Sequence, residues 1–274
     1  MSDLELSVIM PVYNCGAYLR EAIDSILHQT FPAFEFIIIN DGSTDESERI
    51  ILSYNDPRIV YIKNETNRGL VYTLNYGVSL AKGKLIARMD GDDISLPERF
   101  AKQIAYMNMQ PNVSILAGFI EMINEKGQPL GYWKEDRDNT TYEQIREFMP
   151  GNNCIAHPSV MARANVLKTY LYRAEQSQAE DYDLWLRLLS AGEVIHKLSE
   201  TLVLYRILPG SFTRTRQQNV FFKLATTKSR FAFREISEGN MNLFVFRTLL
   251  FSSADTLKGI GKMVKKLLSP IVGK

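Results

Sequence analysis

Three carboxylates lie close behind a short apolar run in the first third of the chain. They belong to the segment Met89–Asp93 (MDGDD), which follows the apolar residues Leu85–Ala87. Carboxylates at the end of a buried strand need a divalent cation or a counter-charge. Clustered oxygen ligands suit Mg²⁺ or Mn²⁺, which keep open coordination positions for phosphate oxygens. The segment therefore predicts a nucleotide-phosphate site, and the alternative is a solvated acidic turn that caps a helix.

Two further polar segments follow apolar runs earlier in the chain. Asn40–Asp45 (NDGSTD) precedes a helical pattern, which puts its acids beside the N-terminal amides of a helix. Asp41 either accepts a hydrogen bond from a nucleobase or ribose, or is an exposed cap residue. The segment Pro11–Asn14 (PVYN) offers an aromatic ring, and Tyr13 either stacks on a base or belongs to the core.

The remaining candidates are one cation and two acids. Arg68, beside Gly69, suits contact with a phosphate or a base, although a single Arg also forms surface ion pairs. Glu180 and Asp181 precede a helical pattern around Trp185, where the helix dipole favours acids in any case. A carboxylate in a cleft beside a bound sugar would instead act as a general base.

Several other chemistries lack their signatures. The sequence has no GxGxxG after the first apolar run, no GxxxxGK(S/T), no HExxH and no Cys/His metal spacing. His28 and His196 fall at positions that favour structural roles. His157, after a Gly/Asn turn and before a proline, is the histidine whose setting favours a functional role.

An α/β fold must position these residues. From residue 6 to about 90, short β-branched runs alternate with helical patterns, which indicates βαβ units and a mostly parallel sheet. Ligands in such sheets bind at the carboxyl ends of strands, where the acids fall. Ser43 and Glu46 form a predicted capping box for the second helix. We predict strands at Ser7–Met10, Phe36–Ile39, Ile59–Ile62 and Leu85–Ala87.

The second half of the chain is less regular. We predict a strand pair from Val113 to about Glu125, then a polar loop through Asn139 and Thr140. Beyond about Phe212 the pattern changes to aromatic and basic helices. Further strands are predicted near Pro158–Met161 and over Thr201–Tyr205.

The chain contains, in this order, the segments VIMPVYN (8–14), NDGSTD (40–45), NRG (67–69), DGDD (90–93) and ED (180–181). Together these five segments resemble the family 2 inverting glycosyltransferases. The resemblance covers about residues 6–210 and implies the type A glycosyltransferase fold, an α/β fold with a single mostly parallel mixed sheet flanked by helices, plus C-terminal helices. It implies a glycosyltransferase domain over 1–212, with a nucleotide-sugar-binding half over about 1–112 and an acceptor half over 113–212. A C-terminal helical extension is expected over 213–274.

The resemblance implies roles for the residues of the first three segments. Pro11, Tyr13 and Asp41 would bracket the base of a nucleoside diphosphate sugar, for which UDP is the expected nucleotide. Asn14 belongs to the same binding set, and Arg68 would lie near the base or the diphosphate.

The resemblance also implies a metal and a base. Asp90 would hold the ribose and assist Mn²⁺ or Mg²⁺, Asp92 would coordinate that ion, and Asp93 would orient the cluster or the donor sugar. Asp181 matches the catalytic base of the family, which deprotonates the acceptor hydroxyl, and Glu180 is the alternative base.

One departure concerns the metal shell. Several relatives place a histidine shortly after the late Tyr-Arg pair, whereas Tyr205 and Arg206 are followed here by ILPG. The third protein ligand of the metal is therefore open. Arg206 and Arg214 are candidates for neutralising the diphosphate instead.

Composition limits partners and compartment. The 274 residues are 45% hydrophobic and 23% charged, which suits one large core with an appendage. A net charge of +1 predicts no affinity for nucleic acid. Cys15 and Cys154 lie far apart, and the N-terminal segment lacks the apolar stretch of a signal peptide. We expect a cytoplasmic protein, at the inner face of the plasma membrane if it contacts one.

The C-terminal segment alternates lysines with apolar residues. Lys258, Lys262, Lys265 and Lys266 fit an interfacial amphipathic helix on anionic lipid, although Gly259 and Gly261 weaken a helix there. The alternative is a helix that packs on the domain or on a second subunit of a homodimer.

The combined prediction is a metal-dependent inverting glycosyltransferase. It would move a sugar from a nucleotide donor to a saccharide or lipid-linked saccharide acceptor in surface polysaccharide biosynthesis. The alternatives are a non-catalytic sugar-nucleotide-binding subunit or scaffold, and a sugar nucleotidyltransferase. The latter would need a Gly-rich triphosphate loop, which Pro11–Gly16 lacks.

Overall fold

Nine strands form one mixed sheet in the computed structural model. The structure describes residues 4–176, 178–208 and 220–268, with the backbone alone for 220 and 264–268. Arg214 and the boundary predicted at residue 212 lie outside these ranges, as do the side chains of Lys265 and Lys266. The strands are β1 (Leu6–Val12), β2 (Phe34–Asn40), β3 (Ile59–Lys63), β4 (Leu85–Arg88), β5 (Ile94–Ser95), β6 (Val113–Ile123), β7 (Pro129–Tyr132), β8 (Met161–Arg163) and β9 (Val194–Arg206).

The sheet has a parallel half and a mixed half. Its strand order is β3-β2-β1-β4-β8-β6-β9-β5, and β7 pairs with β6 outside this path. Strands β1 to β4 are mutually parallel, β8 is antiparallel to β4 and β6, and β6 runs parallel to β9. The carboxyl ends of β1, β2 and β4 therefore lie along one edge.

Helices cover both faces of the sheet. Every residue of β1, β2 and β4 is buried, as expected for parallel strands with helices on both faces. Ile9 and Ile37 face one apolar cluster, whereas Val8 and Ile38 face the other, because side chains alternate along a strand. The helices are α1 (Gly16–Leu27), α2 (Ser47–Leu52), α3 (Leu70–Leu80), α4 (Arg99–Met109), α5 (Lys134–Asp138), α6 (Tyr142–Phe148), α7 (Ala164–Thr169), α8 (Glu180–Ser190), α9 (Val220–Ser237) and α10 (Leu243–Leu268).

The four strands predicted before residue 90 are confirmed, and the second half differs in detail. Residues Val113–Ile123 form one long strand whose partner in the hairpin is β7, because the polar residues 124–128 make the turn. The stretch predicted as a loop through Asn139 and Thr140 contains the short helix α5, and these two residues belong to the connection between α5 and α6. The last strand begins at Val194, seven residues before its predicted start at Thr201.

The predicted capping box of α2 is wrong. The N-cap residue of α2, Glu46, makes no side-chain hydrogen bond to the helix, which begins at Ser47. Ser43 Oγ instead accepts a hydrogen bond from Asn14 N at 3.0 Å, and Asp45 Oδ1 accepts one from Ser47 N at 2.9 Å. The polar residues of this loop thus bind the neighbouring strand end as well as the helix start.

The two C-terminal helices form a hairpin against α8. The α9 helix contacts α8, and α10 packs along α9. The α10 helix continues through Gly259, where an added Cβ would lie 2.8 Å from the Phe222 ring, so the glycine permits close packing of the two helices. None of the described helices combines the length and apolarity that crossing a bilayer requires.

Candidate active site

The predicted donor residues lie at neighbouring strand ends. In the sheet, Val12 of β1 is in register with Asn40 of β2, and Ile9 is in register with Arg88 of β4. The loops that follow these strands, which carry the PVYN, NDGSTD and DGDD segments, therefore share one edge of the sheet.

Three carboxylates form a tight cluster after β4. Ligand oxygens of Asp90, Asp92 and Asp93 all lie within 4.8 Å of one another. Burial, and then the Asp90 charge, raise the pKa of Asp92 to about 6. Burial raises the pKa of Asp93 well above its usual range, and the two neighbouring carboxylates raise it further. The cluster is thus an anionic site that a bound cation would stabilise.

Asp93 provides the clearest sign of a missing partner. Its side chain is 1% exposed, and its Oδ1 accepts a hydrogen bond from Arg206 N at 2.8 Å. Its Oδ2 is buried and has no hydrogen-bond partner in the described part of the chain. A buried carboxylate oxygen without a donor is costly, and a cation or its bound water would satisfy it. The all-oxygen donor set fits Mg²⁺ or Mn²⁺, and the cluster includes no histidine among the described residues.

Arg88 supplies the counter-charge that the sequence requires. Its Nη1 donates to Asp90 Oδ2 at 2.6 Å, and its Nη2 donates to Asp90 Oδ1, so the guanidinium grips both oxygens. The side chain of Arg88 is only 6% exposed. The sequence motifs assign no role to Arg88. The available signal is its position two residues before Asp90, because residues i and i+2 of an extended strand share a face.

Arg206 positions the turn that carries the acids. Its Nε donates to Asp92 O at 2.8 Å, its Nη1 to Asn124 O at 3.1 Å, and its Nη2 to Glu21 Oε2 at 2.5 Å. Every guanidinium nitrogen of Arg206 binds a protein oxygen, and the role of Arg206 in neutralising the diphosphate stays a prediction. Its backbone N–H and its side chain fix Asp93 and Asp92 relative to α1.

Asp41 is buried and holds a loop. It is 3% exposed, so the alternative of an exposed cap is wrong. Asp41 Oδ1 accepts from Asn64 Nδ2 at 2.7 Å and from Arg68 N at 2.9 Å, and Oδ2 accepts from Gly69 N at 2.9 Å. Contact between Asp41 and a nucleobase stays a prediction. The structure adds that this carboxylate shapes the start of α3.

The NRG segment contacts Asp41 through the backbone N–H groups of Arg68 and Gly69. The side chain of Arg68 is exposed, and its guanidinium stacks over the Tyr72 ring at 4.1 Å from the centroid. Gly42 has φ +70°, and an added Cβ would lie 2.6 Å from Thr66 C, so a glycine is required where the two loops meet. The role of Arg68 near a base or diphosphate stays a prediction.

The PVYN segment presents its aromatic ring to solvent. Tyr13 is 48% exposed, so it does not belong to the core, and base stacking stays a prediction. Pro11 is buried within β1. Asn14 Oδ1 accepts from Thr44 N at 2.9 Å, which ties the loop after β1 to the loop after β2.

Cys15 lies against the acidic turn. An added Cβ at Gly91 would lie 3.2 Å from Cys15 Sγ. Burial, followed by the charge of Asp92, raises the pKa of the Cys15 thiol to about 12. The thiol is therefore protonated at neutral pH and adds no negative charge to the cluster.

The two candidate bases open α8. Glu180 is 6% exposed, and Asp181 is half-buried. Asn153 Nδ2 donates to Asp181 Oδ2 at 3.2 Å. Burial lowers the pKa of Arg88, but Asp90, Tyr172, Asp93 and Glu180 outweigh it and the net shift is upward. Arg88 therefore lies within electrostatic range of both the acidic cluster and the start of α8.

His157 is a buried structural neighbour of this region. Its Nε2 and the Tyr172 hydroxyl are hydrogen-bonded at 2.8 Å, and its ring packs edge-on against Trp185 at 5.9 Å. Burial, and then the Arg88 charge, hold the pKa of His157 well below its usual range. The imidazole is therefore neutral at neutral pH, and only 7% of His157 is exposed.

Comparison with known proteins places this geometry in a family. The family model described as Glycosyl transferase family 2 matches residues 7–171. The O-antigen biosynthesis glycosyltransferase WbnJ of Escherichia coli is 39% identical over 207 residues, which make up 74% of this chain and 79% of WbnJ.

Solved structures share the fold at low identity. The S. aureus TarS 1–349 structure in complex with UDP-GlcNAc matches with a TM-score of 0.66 and 22% identity, over 82% of this chain and 66% of that chain. The mannosyltransferase PcManGT from Pyrobaculum calidifontis, in complex with GDP-Man and Mn²⁺, matches with a TM-score of 0.63 and 13% identity, over 95% of this chain and 76% of that chain. At these identities the two structures show the fold alone. With the family model matching more than half of its residues, the chain belongs to glycosyl transferase family 2 and is a glycosyltransferase.

Proposed function

We propose that the chain is a metal-dependent inverting glycosyltransferase that uses a UDP-sugar and acts on a saccharide or lipid-linked saccharide in surface polysaccharide biosynthesis. One observation carries the proposal. In the Asp90, Asp92 and Asp93 cluster, the buried Asp93 Oδ2 has no hydrogen-bond partner among the described residues, and the cluster lies at the sheet edge where β1, β2 and β4 end. The name of WbnJ, an O-antigen biosynthesis glycosyltransferase, supports the polysaccharide role.

The donor nucleotide would bind across the ends of β1 and β2. Tyr13 offers an exposed ring for stacking on the base, and Asn14 and Asp41 offer polar groups at the same edge. TarS structures contain UDP or UDP-GlcNAc, which supports a uracil base. PcManGT contains GDP-Man, so guanine is the competing base.

The cation would be held by Asp92, with Asp90 beside it. The raised pKa of Asp92 and the missing partner of Asp93 Oδ2 both indicate a site that gains stability from positive charge. When bound, Mn²⁺ or Mg²⁺ neutralises charge on the leaving diphosphate. Arg88 holds Asp90, and Arg206 holds the turn, so the acids are already placed before a ligand arrives.

Asp181 would act as the general base. A sugar hydroxyl has a high pKa, so its attack on the anomeric carbon requires a carboxylate that removes the proton during bond formation. Asp181 is half-buried at the start of α8, and Asn153 fixes one of its oxygens. A single displacement inverts the anomeric centre and needs no covalent nucleophile. Glu180 is the competing base.

We place the reaction at the cytoplasmic side of a membrane. Cys15 and Cys154 are both free thiols, which fits a reducing compartment. A lipid-linked acceptor would require the enzyme to work beside a bilayer. Pairing with a second copy is the alternative use of the C-terminal helices.

Thermal stability tests the donor site. We would measure the Tm with UDP-, GDP- and dTDP-sugars, with and without Mn²⁺, for the wild type, Asp92→Asn and the control Asp138→Asn, whose carboxylate is 53% exposed on α5. A donor at about 100 times its Kd should raise the Tm by about 5 °C or more when Mn²⁺ is present. The shift should vanish in Asp92→Asn and persist in Asp138→Asn. No shift with any donor, or an equal shift in Asp92→Asn, contradicts the proposal.

Product stereochemistry tests the inverting mechanism separately. The product formed from an α-linked donor would be identified by the anomeric coupling in its proton NMR spectrum. A β-linked product supports a single displacement assisted by Asp181, and an α-linked product contradicts it.

A further inference from the structure

The α10 helix buries only one of its two apolar sides. The side that faces α9 is buried and includes Phe244 and Val245, with Thr248, Ser252 and Asp255 continuing the same row. The contact of α10 with α9 therefore uses this buried side of α10 and not the opposite side.

The opposite side of α10 is also apolar. Its residues follow spacings of three, four and seven, which align them along one face of a helix. The row extends for about 25 Å, given a rise of about 1.5 Å per residue. Ser253 interrupts the row between Leu250 and Leu257. Several large apolar side chains on one exposed face indicate an interaction surface, whereas single exposed residues are common. The row, hereafter the α10 stripe, consists of Leu243 (74% exposed), Phe246 (46%), Leu250 (54%), Leu257 (69%) and Ile260 (43%).

The charge on α10 is almost entirely positive. Its sequence contains Arg247, Lys258, Lys262, Lys265 and Lys266, whereas Asp255 is its one acid. Asp255 is 4% exposed and binds the buried Lys228 through Oδ2 at 2.6 Å. Lys258 is exposed directly after Leu257, and Lys262 is exposed about one turn further along the helix. The chain as a whole has a net charge of only +1, so positive charge is concentrated on this helix.

We propose that the α10 stripe and its lysines are a docking surface for an anionic lipid bilayer. An apolar row bordered by lysines matches an interfacial helix, whose apolar side enters the acyl boundary while the cations bind anionic headgroups. A second copy of α10 fits less well. It would present the same lysines, and α10 has no exposed carboxylate to pair with them.

Direct contacts connect α10 to the loop that holds the candidate base. Lys228 of α9 donates to Asp255 of α10 and to Gly151 O, at 2.6 Å each. Asn153, two residues after Gly151, donates to Asp181. The docked helix is therefore connected to the loop that orients Asp181. A role of this connection in catalysis rests on the proposed lipid-linked acceptor, whereas docking itself does not.

Vesicle co-sedimentation of the full chain tests the docking surface. The vesicles are phosphatidylcholine alone and phosphatidylcholine with phosphatidylglycerol. The stripe variant Leu250→Ser/Leu257→Ser is matched by Leu52→Ser/Met109→Ser, which changes exposed apolar residues on α2 and α4. The charge variant Lys258→Gln/Lys262→Gln is matched by Lys82→Gln/Lys84→Gln, which changes two exposed lysines before β4. Donor-induced Tm shifts of each variant verify folding and report on the donor site independently.

The wild type and both matched controls should sediment with the anionic vesicles. Binding should weaken about tenfold to thirtyfold in the charge variant, since each lysine near an anionic surface contributes a few-fold, and should fall further in the stripe variant. A wild type that stays in the supernatant with both vesicles overturns the proposal, as does a stripe variant that sediments like the wild type. Equal binding to neutral and anionic vesicles also overturns it. A dimer that the stripe substitutions dissociate, with no vesicle binding, would assign the stripe to a second copy instead.

Discussion

Asn153 Nδ2 lies 3.2 Å from Asp181 Oδ2 and donates a hydrogen bond to it. The other end of the Asn153 amide is fixed as well, because its Oδ1 accepts from Ile155 N at 3.0 Å. The amide nitrogen therefore points at Asp181 before any substrate binds. This contact orients one carboxylate oxygen of the proposed base.

Replacing Asp181 should separate catalysis from donor binding. We expect Asp181→Asn to lower kcat by about 10²- to 10⁴-fold, the usual contribution of a general base, while the donor-induced Tm shift stays at the wild-type value. Glu180→Gln should cause the smaller loss of kcat. The rate of UDP release with acceptor present measures both. A larger loss in Glu180→Gln would transfer the role of base to Glu180.

Arg88→Lys should weaken the donor site without unfolding the chain. Lysine keeps the positive charge but cannot grip both oxygens of Asp90. Loss of one charge-assisted hydrogen bond, about 1.5–3 kcal/mol, corresponds to roughly a tenfold to hundredfold weaker affinity for the donor with Mn²⁺. Isothermal titration with UDP and Mn²⁺ measures this affinity. Arg49→Lys, in the exposed pair with Glu46, is the control, and equal affinities of the two variants would contradict the positioning role of Arg88.

His157 should make the protein less stable as the pH falls below about 6.5. Its folded pKa lies below the ordinary value, mainly because of burial, so the unfolded chain takes up a proton that the native chain does not. The stability contribution is complete above pH 6.5 and decreases as the pH falls towards the folded pKa, by at most about 1.4 kcal/mol per pH unit.

Urea unfolding at pH 7.5, 6.5 and 5.5 measures this dependence. In His157→Gln, the slope of the unfolding free energy against pH should decrease by up to the value for one bound proton, about 1.4 kcal/mol per pH unit. In His28→Gln, which changes an exposed histidine, the slope should stay close to that of the wild type. A wild-type slope in His157→Gln would show that the buried imidazole does not control acid stability.

Sequence patterns predicted the parallel half of the sheet because local signals and the fold agree there. The β-branched runs of β1 and β2 are buried on both faces, and polar segments come where these strands end. Parallel strands bring such ends to one edge, so the order of the segments was enough to bring Tyr13, Asp41 and Asp92 to the same edge.

Sequence could not show how the acids are held. The fork of Arg88 on Asp90, and the use of Asp41 by the backbone of Arg68, depend on side-chain directions that no spacing rule fixes. The role of Arg206 depends on β9 ending beside the turn after β4, a contact across 113 residues. The capping box predicted at Ser43 is wrong for a related reason. The Ser43 hydroxyl accepts a hydrogen bond from Asn14 of the neighbouring loop instead of capping α2.

The buried pair of Lys228 and Asp255 should respond asymmetrically to single substitutions. Removing Lys228 leaves Asp255 with Lys258, whose Nζ lies 3.8 Å from Asp255 Oδ1. Removing Asp255 leaves a buried ammonium with Gly151 O and, at 5.8 Å from its centroid, the Phe251 ring. We therefore expect Asp255→Leu to cost about 3–5 kcal/mol of unfolding free energy, and Lys228→Met to cost less.

Urea unfolding of the two single variants and of Lys228→Met/Asp255→Leu measures the coupling. An apolar pair of similar volume avoids desolvating both charges, so the double variant should recover most of the stability that Asp255→Leu loses. Arg234→Met/Glu238→Leu, which removes a half-exposed pair at the C-terminal end of α9, should change the free energy by about 1 kcal/mol or less. If the double variant is as unstable as the sum of the single variants, the two charges act independently. The contact of Lys228 with Gly151 would then contribute more to holding the Asn153 loop than the ion pair does.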